Sequence, residues 1–125
     1  MSENERLTKM AAIVAAALDR KAEEIVALDV SELTSFADIF VIVTATSDRR
    51  ARSIADSITE AMDKRGEKPL GTEGYNEGRW VLIDLGDAIV HVFQDEVRRE
   101  YDLERLWSDA PVLEVTGGAA RTAAQ

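Results

Sequence analysis

The sequence predicts an α/β domain built on a mixed sheet of about five strands with flanking helices. The chain has 125 residues, of which 46% are hydrophobic, and this is enough for a single core. Residues 39–45, IFVIVTA, are apolar almost throughout, which is typical of a strand covered on both faces. Helical patterns occur before and after this run, and such an alternation of helices and strands indicates the α/β class.

The first elements are a helix over residues 6–21 and a strand over residues 25–30. The helix is indicated by apolar residues at helical spacing, namely Leu7, Met10, Val14, Ala17 and Leu18. Glu3 and Glu5 precede it, whereas signal and transit peptides begin with basic residues and lack acidic ones. Residues 25–30, IVALDV, have the β-branched composition of a strand.

A second helix is predicted to begin at Ser47 or Asp48, whose side-chain oxygens are good N-caps. Gly66 stands where a left-handed residue commonly follows a helix. The buried side of this helix is marked by apolar residues at helical spacing, namely Ala51, Ile54, Ala55, Ile58, Ala61 and Met62.

The remaining elements are a weak strand or loop, a pair of strands and a last helix. Residues 69–78 contain one proline and three glycines, so they form a loop or a weak strand. Paired strands are predicted over residues 80–85 and 88–93. A short helix over residues 101–107 has Leu103, Leu106 and Trp107 facing inward, and Pro111 ends it. We expect a single domain over residues 1–115 and a flexible tail over the small and polar residues 116–125.

Composition restricts the classes of function. The formal net charge is −9, so the basic surface needed for direct nucleic-acid binding is not visible. An acidic domain attracts a basic partner, but on charge alone solubility is the simpler explanation. The chain has no cysteine and one histidine, which excludes disulfides and thiol catalysis and is poor material for a zinc site. We therefore expect no cofactor and no metal.

The paired strands predict a hairpin with two different faces. Gly86 and Asp87 suit a two-residue turn in which the glycine takes a positive φ. The resulting register places only apolar side chains on one face, which must be buried: Val81 opposite Val92, Ile83 opposite Val90, and Leu85 opposite Ala88.

The second face of the hairpin is a candidate protein-binding surface. It carries Trp80 opposite Phe93, Leu82 opposite His91, and Asp84 opposite Ile89. A sheet face open to water is mostly polar, and tryptophan is enriched among binding hot spots. The structural alternatives are a core Trp80 that caps the sheet edge, a structural His91, and an Asp84 that binds a loop amide.

The absence of catalytic motifs favours a binding module over an enzyme. His91 is the only histidine available as a general base, and G-x-S-x-G, Walker and G-x-G-x-x-G motifs are absent. Asp84 and Asp87 are three residues apart with a turn between them, unlike the closely spaced carboxylates of two-metal phosphoryl transfer. The alternative is a nucleotidyltransferase-like enzyme that acts on a small substrate.

Three segments of the chain resemble the Iojap family, the ribosomal silencing factors. They are DVSELTSFADIFVIVTATSDRR at 29–50, EGRWVLIDLGDAIVHVF at 77–93 and YDLERLWSDAP at 101–111, and the similarity spans roughly residues 23–113. It implies a nucleotidyltransferase-like core without an established catalytic activity. It also implies a cytoplasmic protein that binds the fourteenth protein of the large ribosomal subunit on the intersubunit face. Binding there would block association of the small subunit and repress translation.

The resemblance also implies site residues. The family's docking surface includes the tryptophan of a G-R-W motif, which is Trp80 here, and Asp84, His91 and Tyr101 stand at matching positions nearby. Leu82 and Phe93 share the hairpin face with them. Two positions depart from the family pattern: Glu100 replaces a frequent aromatic residue, and Arg50 replaces a usual glutamine. Exposed apolar residues on this face also suggest a homodimer of the free protein.

Overall fold

The computed structural model describes residues 2–116 and 119–122, which form four helices and seven strands. The helices are α1 (Glu3–Asp19), α2 (Asp48–Lys64), α3 (Asp95–Tyr101) and α4 (Leu103–Leu106). The strands are β1 (Glu23–Asp29), β2 (Ile39–Ala45), β3 (Gly71–Glu73), β4 (Trp80–Asp84), β5 (Ala88–Gln94), β6 (Val112–Thr116) and β7 (Ala119–Thr122).

All seven strands belong to one mixed sheet, in the order β3-β4-β5-β2-β1-β6-β7. Strands β2 and β5 are parallel, and every other neighbouring pair is antiparallel. Parallel neighbours need a long crossover connection, which here consists of α2, β3 and β4. Strand β2 is buried at every position, as its apolar sequence predicted.

Helices α1 and α2 cover one face of the sheet. The N-cap of α2 is Ser47, whose hydroxyl oxygen accepts a hydrogen bond from the Arg50 amide at 3.0 Å, and Gly66 beyond its end has a φ of +77°. Both features confirm the predicted bounds of this helix. The core between these helices and the sheet includes Met10, Ile13, Ile54 and Ile58 from the helices, and Val41, Val81, Ile83, Val90 and Val92 from the strands.

A second and smaller layer covers the other face of the sheet. It consists of α3, α4 and the loop of residues 31–38, and its core includes Val30, Ala37, Phe40, Ile42, Phe93, Val97 and Leu103. The two clusters lie on opposite sides of the strands because neighbouring residues of a strand point to opposite faces.

The fold class and the hairpin register are confirmed. Strands β4 and β5 pair as predicted, with Trp80 opposite Phe93, Leu82 opposite His91 and Asp84 opposite Ile89, and Gly86 has a φ of +87°. The sheet has two more strands than expected, because β6 and β7 were not predicted. Strand β7 lies within the predicted tail and pairs with β6. Residues 117–118 and 123–125 lie outside the described residues, and the flexibility of the tail stays a prediction.

The end of the domain differs most from the expectation. Helix α3 was missed, because DEVRREY offers Val97 as its one aliphatic residue and therefore no apolar periodicity. The predicted helix over residues 101–107 is shortened, since Asp102 has a left-handed φ of 45° and separates α3 from α4. Leu106 is exposed rather than inward-facing. Within the described ranges, none of the helices combines the length and apolar character needed to cross a membrane.

A buried lysine connects the first helix to the hairpin turn. Nζ of Lys9 lies 2.5 Å from Oδ1 of Asp87, 2.8 Å from Oε1 of Glu67 and 3.2 Å from the carbonyl oxygen of Leu85. Burial alone lowers the pKa of Lys9, but the hydrogen bonds that its ammonium group donates to Asp87 and Glu67 outweigh this effect and raise the pKa above its ordinary value. The ammonium group therefore stays charged and fixes α1 against the turn.

Replacing this lysine should destabilise the fold. In Lys9→Met the aliphatic packing remains, but Asp87 and Glu67 lose their cation, which should cost roughly 2–3 kcal/mol of unfolding free energy. Urea denaturation measures this loss, and Lys68→Met, at an exposed lysine, is the matched control. Equal stability of the two variants would contradict a structural role for Lys9.

Candidate functional site

Six of the seven aromatic residues of the chain and its only histidine form one continuous network on the second face of the sheet. The network consists of Phe36, Phe40, Trp80, His91, Phe93, Tyr101 and Trp107, in which each ring lies within 6.2 Å of another, centroid to centroid. We call this set the aromatic network. Tyr75, the remaining aromatic residue, hydrogen-bonds to Asp56 on α2.

Strand pairing brings the centre of the network together. Trp80 of β4 and Phe93 of β5 are direct cross-strand neighbours, and His91 lies two residues before Phe93 on the same face. Phe40 comes from β2, the strand on the other side of β5. Helices α3 and α4 then add Tyr101 and Trp107, and the loop of residues 31–38 adds Phe36.

Trp80 is half-buried and tightly held. Its ring centroid lies 4.8 Å from that of Phe93 and 4.8 Å from that of Tyr101. Its Nε1–H donates a hydrogen bond to Nδ1 of His91 at 3.2 Å. The indole is therefore neither a fully enclosed core residue nor a free surface group, and its orientation is fixed before any partner binds.

His91 provides the acceptor that orients this indole. Its side chain is 5% exposed, and burial lowers its pKa from 6.5 to about 4. At neutral pH the imidazole is uncharged, so the lone pair on Nδ1 is available to Trp80. Nε2 is buried without a hydrogen-bond partner among the described residues, and the ring of Phe40 packs against the imidazole in a T-shaped contact at 5.1 Å.

The structure separates the predicted site residues into surface and interior groups. Phe93 is 0% exposed and His91 nearly so, which corrects the expectation that both face outward, because the second layer covers them. Leu82 is half-buried beside Trp80 on β4, and Tyr101 is exposed at the end of α3. Oδ1 of Asp84 accepts a hydrogen bond from the Gly86 amide at 2.9 Å, as its structural alternative predicted.

Several residues of this region were not predicted from the sequence to belong to the site. Phe36 and Phe40 lay in a predicted loop and a buried strand, and nothing local connected them to Trp80. Arg98 of α3 is 6% exposed, and its guanidinium donates to the Glu24 carbonyl at 2.6 Å and to Oγ1 of Thr44 at 2.8 Å. This arginine holds α3 on the sheet and so positions Tyr101, but a single arginine in a charged heptapeptide carries no signal of burial.

A crevice of about 430 Å³ lies at the carboxyl ends of the parallel strands β2 and β5, where open α/β sheets commonly bind ligands. Arg98 contacts one of its walls through Thr44. Among the residues that the structure describes, no group of three or more histidine, cysteine or acidic side chains could hold a metal ion. The crevice is lined by Glu23, Glu24, Thr44, Ala45, Thr46, Gln94, Asp95 and Glu96.

The fold and the site together define an α/β protein with a mixed sheet and a partly covered aromatic face. The family model described as "Ribosomal silencing factor during starvation" matches residues 3–125. The ribosomal silencing factor of Halalkalibacterium halodurans is 41% identical over 114 residues, covering 91% of this chain and 96% of the relative. That of Bacillus subtilis is 43% identical over 104 residues, covering 83% and 88%.

A solved structure from Chromobacterium violaceum has the same fold, with a TM-score of 0.81, 35% identity and coverage of 86% of this chain and 88% of that chain. The chain belongs to the ribosomal silencing factor family. This membership confirms the resemblance of its motifs and supports a ribosome-associated role in the negative regulation of translation.

The buried histidine predicts a specific pH dependence of stability. Between pH 6.5 and about 4 the unfolded chain binds a proton at His91 that the folded chain does not, so stability falls as the pH drops through this window. The loss of unfolding free energy should reach about 3 kcal/mol. Below pH 4 His91 should contribute no further loss.

The control is His91→Gln, which does not titrate but keeps an acceptor oxygen for Trp80. Urea denaturation of both proteins between pH 7 and pH 4 separates the histidine contribution from that of the carboxyl groups. If the free energies of unfolding of the two proteins decrease in parallel over this range, the burial of a neutral imidazole is not supported.

Proposed function

We propose that this protein binds the large ribosomal subunit through the exposed part of the aromatic network and blocks association of the small subunit. Translation is repressed because subunits that cannot associate cannot initiate. The observation that carries the proposal is the half-buried Trp80, whose ring is held by Phe93 and His91 and lies next to the exposed Tyr101, in a member of the ribosomal silencing factors.

The physical state of Trp80 suits a binding hot spot. Its ring is fixed by Phe93, Tyr101 and His91, so little side-chain entropy is lost when a partner covers it. Tryptophan and tyrosine are typical hot-spot residues, since each presents a large apolar area together with a polar group.

The proposed partner is the fourteenth protein of the large subunit, on the intersubunit face. The resemblance of the G-R-W segment around Trp80 to the family's docking motif suggests this partner. Close to the site the charges are mixed, since the exposed Glu100 and Asp102 flank Tyr101, whereas the exposed Arg79 precedes Trp80. The net charge of −9 of the whole chain supports a basic partner. Such complementarity accelerates encounter with a basic surface.

The proposed mode of action is binding, without catalysis, cofactor or direct contact with nucleic acid, and its place is the cytoplasm. The support is the family itself, whose members are named for silencing rather than for a reaction. A homodimer of the free protein would use the same apolar face, so that dimerisation and ribosome binding would compete.

Truncating the tryptophan should abolish binding. Hot-spot tryptophans typically cost about 2–4 kcal/mol when truncated, or roughly 30- to 1,000-fold in affinity. Trp80→Ala should therefore no longer co-sediment with isolated large subunits at sub-micromolar concentration, and it should no longer block subunit joining. Because Trp80 also packs on Phe93, thermal melting must be measured alongside, and a cooperative transition is expected.

A matched pair of tyrosines separates the site from general effects. Tyr101→Ala removes an exposed ring of the network, whereas Tyr75→Ala removes a comparably exposed ring that contacts α2. We expect weak binding for the first variant and unchanged binding for the second. Folded Trp80→Ala and Tyr101→Ala proteins that bind large subunits as the wild type does would refute the proposed docking face.

Removal of residues 116–125 should leave ribosome binding nearly intact. The described part of this segment consists of Thr116, the last residue of β6, and of β7 at the edge of the sheet. Strands β1 and β6 separate β7 from β2, whereas the strand residues of the aromatic network lie on β2, β5 and β4. Co-sedimentation of the truncated protein measures the effect, and a melting curve shows what the loss of β7 costs in stability. Lost binding by a truncated protein that still folds would place the tail in the interface.

A further inference from the structure

Of the eight large apolar residues with exposed side chains in the described part of the chain, four lie on the layer that contains the aromatic network. Among the large apolar residues with exposed side chains, Leu33, Phe36, Tyr101 and Leu106 lie on the loop of residues 31–38, on α3 or on α4. Tyr101 belongs to the docking face already proposed. The other three have no role there, and we call Leu33, Phe36 and Leu106 the second patch.

Phe36 of the second patch is connected to Trp80 through ring contacts of the aromatic network. Phe36 is 57% exposed, and its ring contacts Phe40 at 6.1 Å and Trp107 at 6.2 Å. Phe40 in turn contacts His91, the hydrogen-bond acceptor of Trp80. Leu106 immediately precedes Trp107 and is 73% exposed. The network therefore has two exposed ends, Tyr101 at one and Phe36 at the other, and the rings between them are half-buried or buried.

The area that a stable complex needs exceeds what the first end offers. A standard interface buries about 800 Å² on each partner, whereas one tryptophan supplies about 150–250 Å² even when fully covered, and Trp80 is already half-buried. Other side chains around Trp80 have to contribute the remaining area, and Leu33, Phe36 and Leu106 are exposed apolar residues on the same layer.

The charges beside the second patch favour a basic partner. Glu32 precedes Leu33, and Asp102 and Asp109 lie near the two ends of α4; all three are exposed. Arg105 is the exposed basic residue of α4. The surface is thus apolar with a mainly acidic rim, which is complementary to a basic surface that presents apolar side chains.

We propose that the second patch is a second contact region for the same ribosomal protein that covers Trp80. This inference rests on the proposed function and extends its docking face from the hairpin to the loop of residues 31–38 and α4. The partner is held at both ends of the aromatic network, and the acidic rim orients its basic surface.

The test compares exposed leucines on opposite layers of the molecule. Leu33 and Leu18 are both 44% exposed, but Leu18 lies on α1, which covers the other face of the sheet. Leu33→Ser, Leu106→Ser and the double variant Phe36→Ser/Leu106→Ser are titrated against isolated large ribosomal subunits in a co-sedimentation assay. Leu18→Ser is the control, and melting curves are recorded for each protein.

We expect the double variant to bind at least about tenfold more weakly, as truncation of central interface residues does, and Leu33→Ser to bind more weakly than Leu18→Ser. If the Phe36→Ser change in the double variant affects folding, Leu106→Ser alone provides the test, because the exposed Leu106 contributes little to the core. The proposed role of the second patch would be overturned if folded Leu106→Ser and Leu33→Ser proteins bind with wild-type affinity while Trp80→Ala does not bind. The proposed function would remain supported by that result. A wild-type protein that does not bind large subunits would overturn both.

Discussion

The parallel pairing of β2 with β5 is the constraint on which the rest of this structure depends. It buries β2 on both faces and requires the chain to cross over between the two strands. The crossover contains α2, which covers one face, and β4, which returns antiparallel to β5 and presents Trp80 on the other. The second face must also be shielded from water, and among the described residues the short helices α3 and α4 and one loop cover it.

The incomplete second layer explains why the aromatic residues gather there. Two helices of seven and four residues cannot cover a broad sheet face with aliphatic side chains alone, whereas large rings cover more area per residue. Phe40, His91 and Phe93 form the buried part of this cover, and Phe36, Trp80 and Tyr101 reach its surface. The same rings therefore complete the core and leave an apolar surface available to a partner.

His91 shows how this arrangement fixes a side chain at the surface. Burial keeps the imidazole neutral at physiological pH, and a neutral ring can accept the indole hydrogen of Trp80. A charged imidazole would donate from both nitrogens and could not do so. The low polarity of the interior behind Trp80 thus makes possible the hydrogen bond that orients its indole. Arg98 contributes separately, because it holds α3, and with it Tyr101, against the sheet.

The sequence by itself determined the α/β class, the two long helices, the central strand β2 and the register of the hairpin, because these depend on local periodicity, capping and turn chemistry. It also pointed to Trp80 through a local motif. Only the tertiary structure decided that His91 and Phe93 are covered, that Leu106 faces outward, and that Phe36, Phe40 and Trp107 join Trp80. These properties depend on which segments pack over a given sheet face, and α3, whose sequence is mostly charged, carries no periodic signal of that packing. Burial on the second face is therefore decided by contacts between residues distant in the chain.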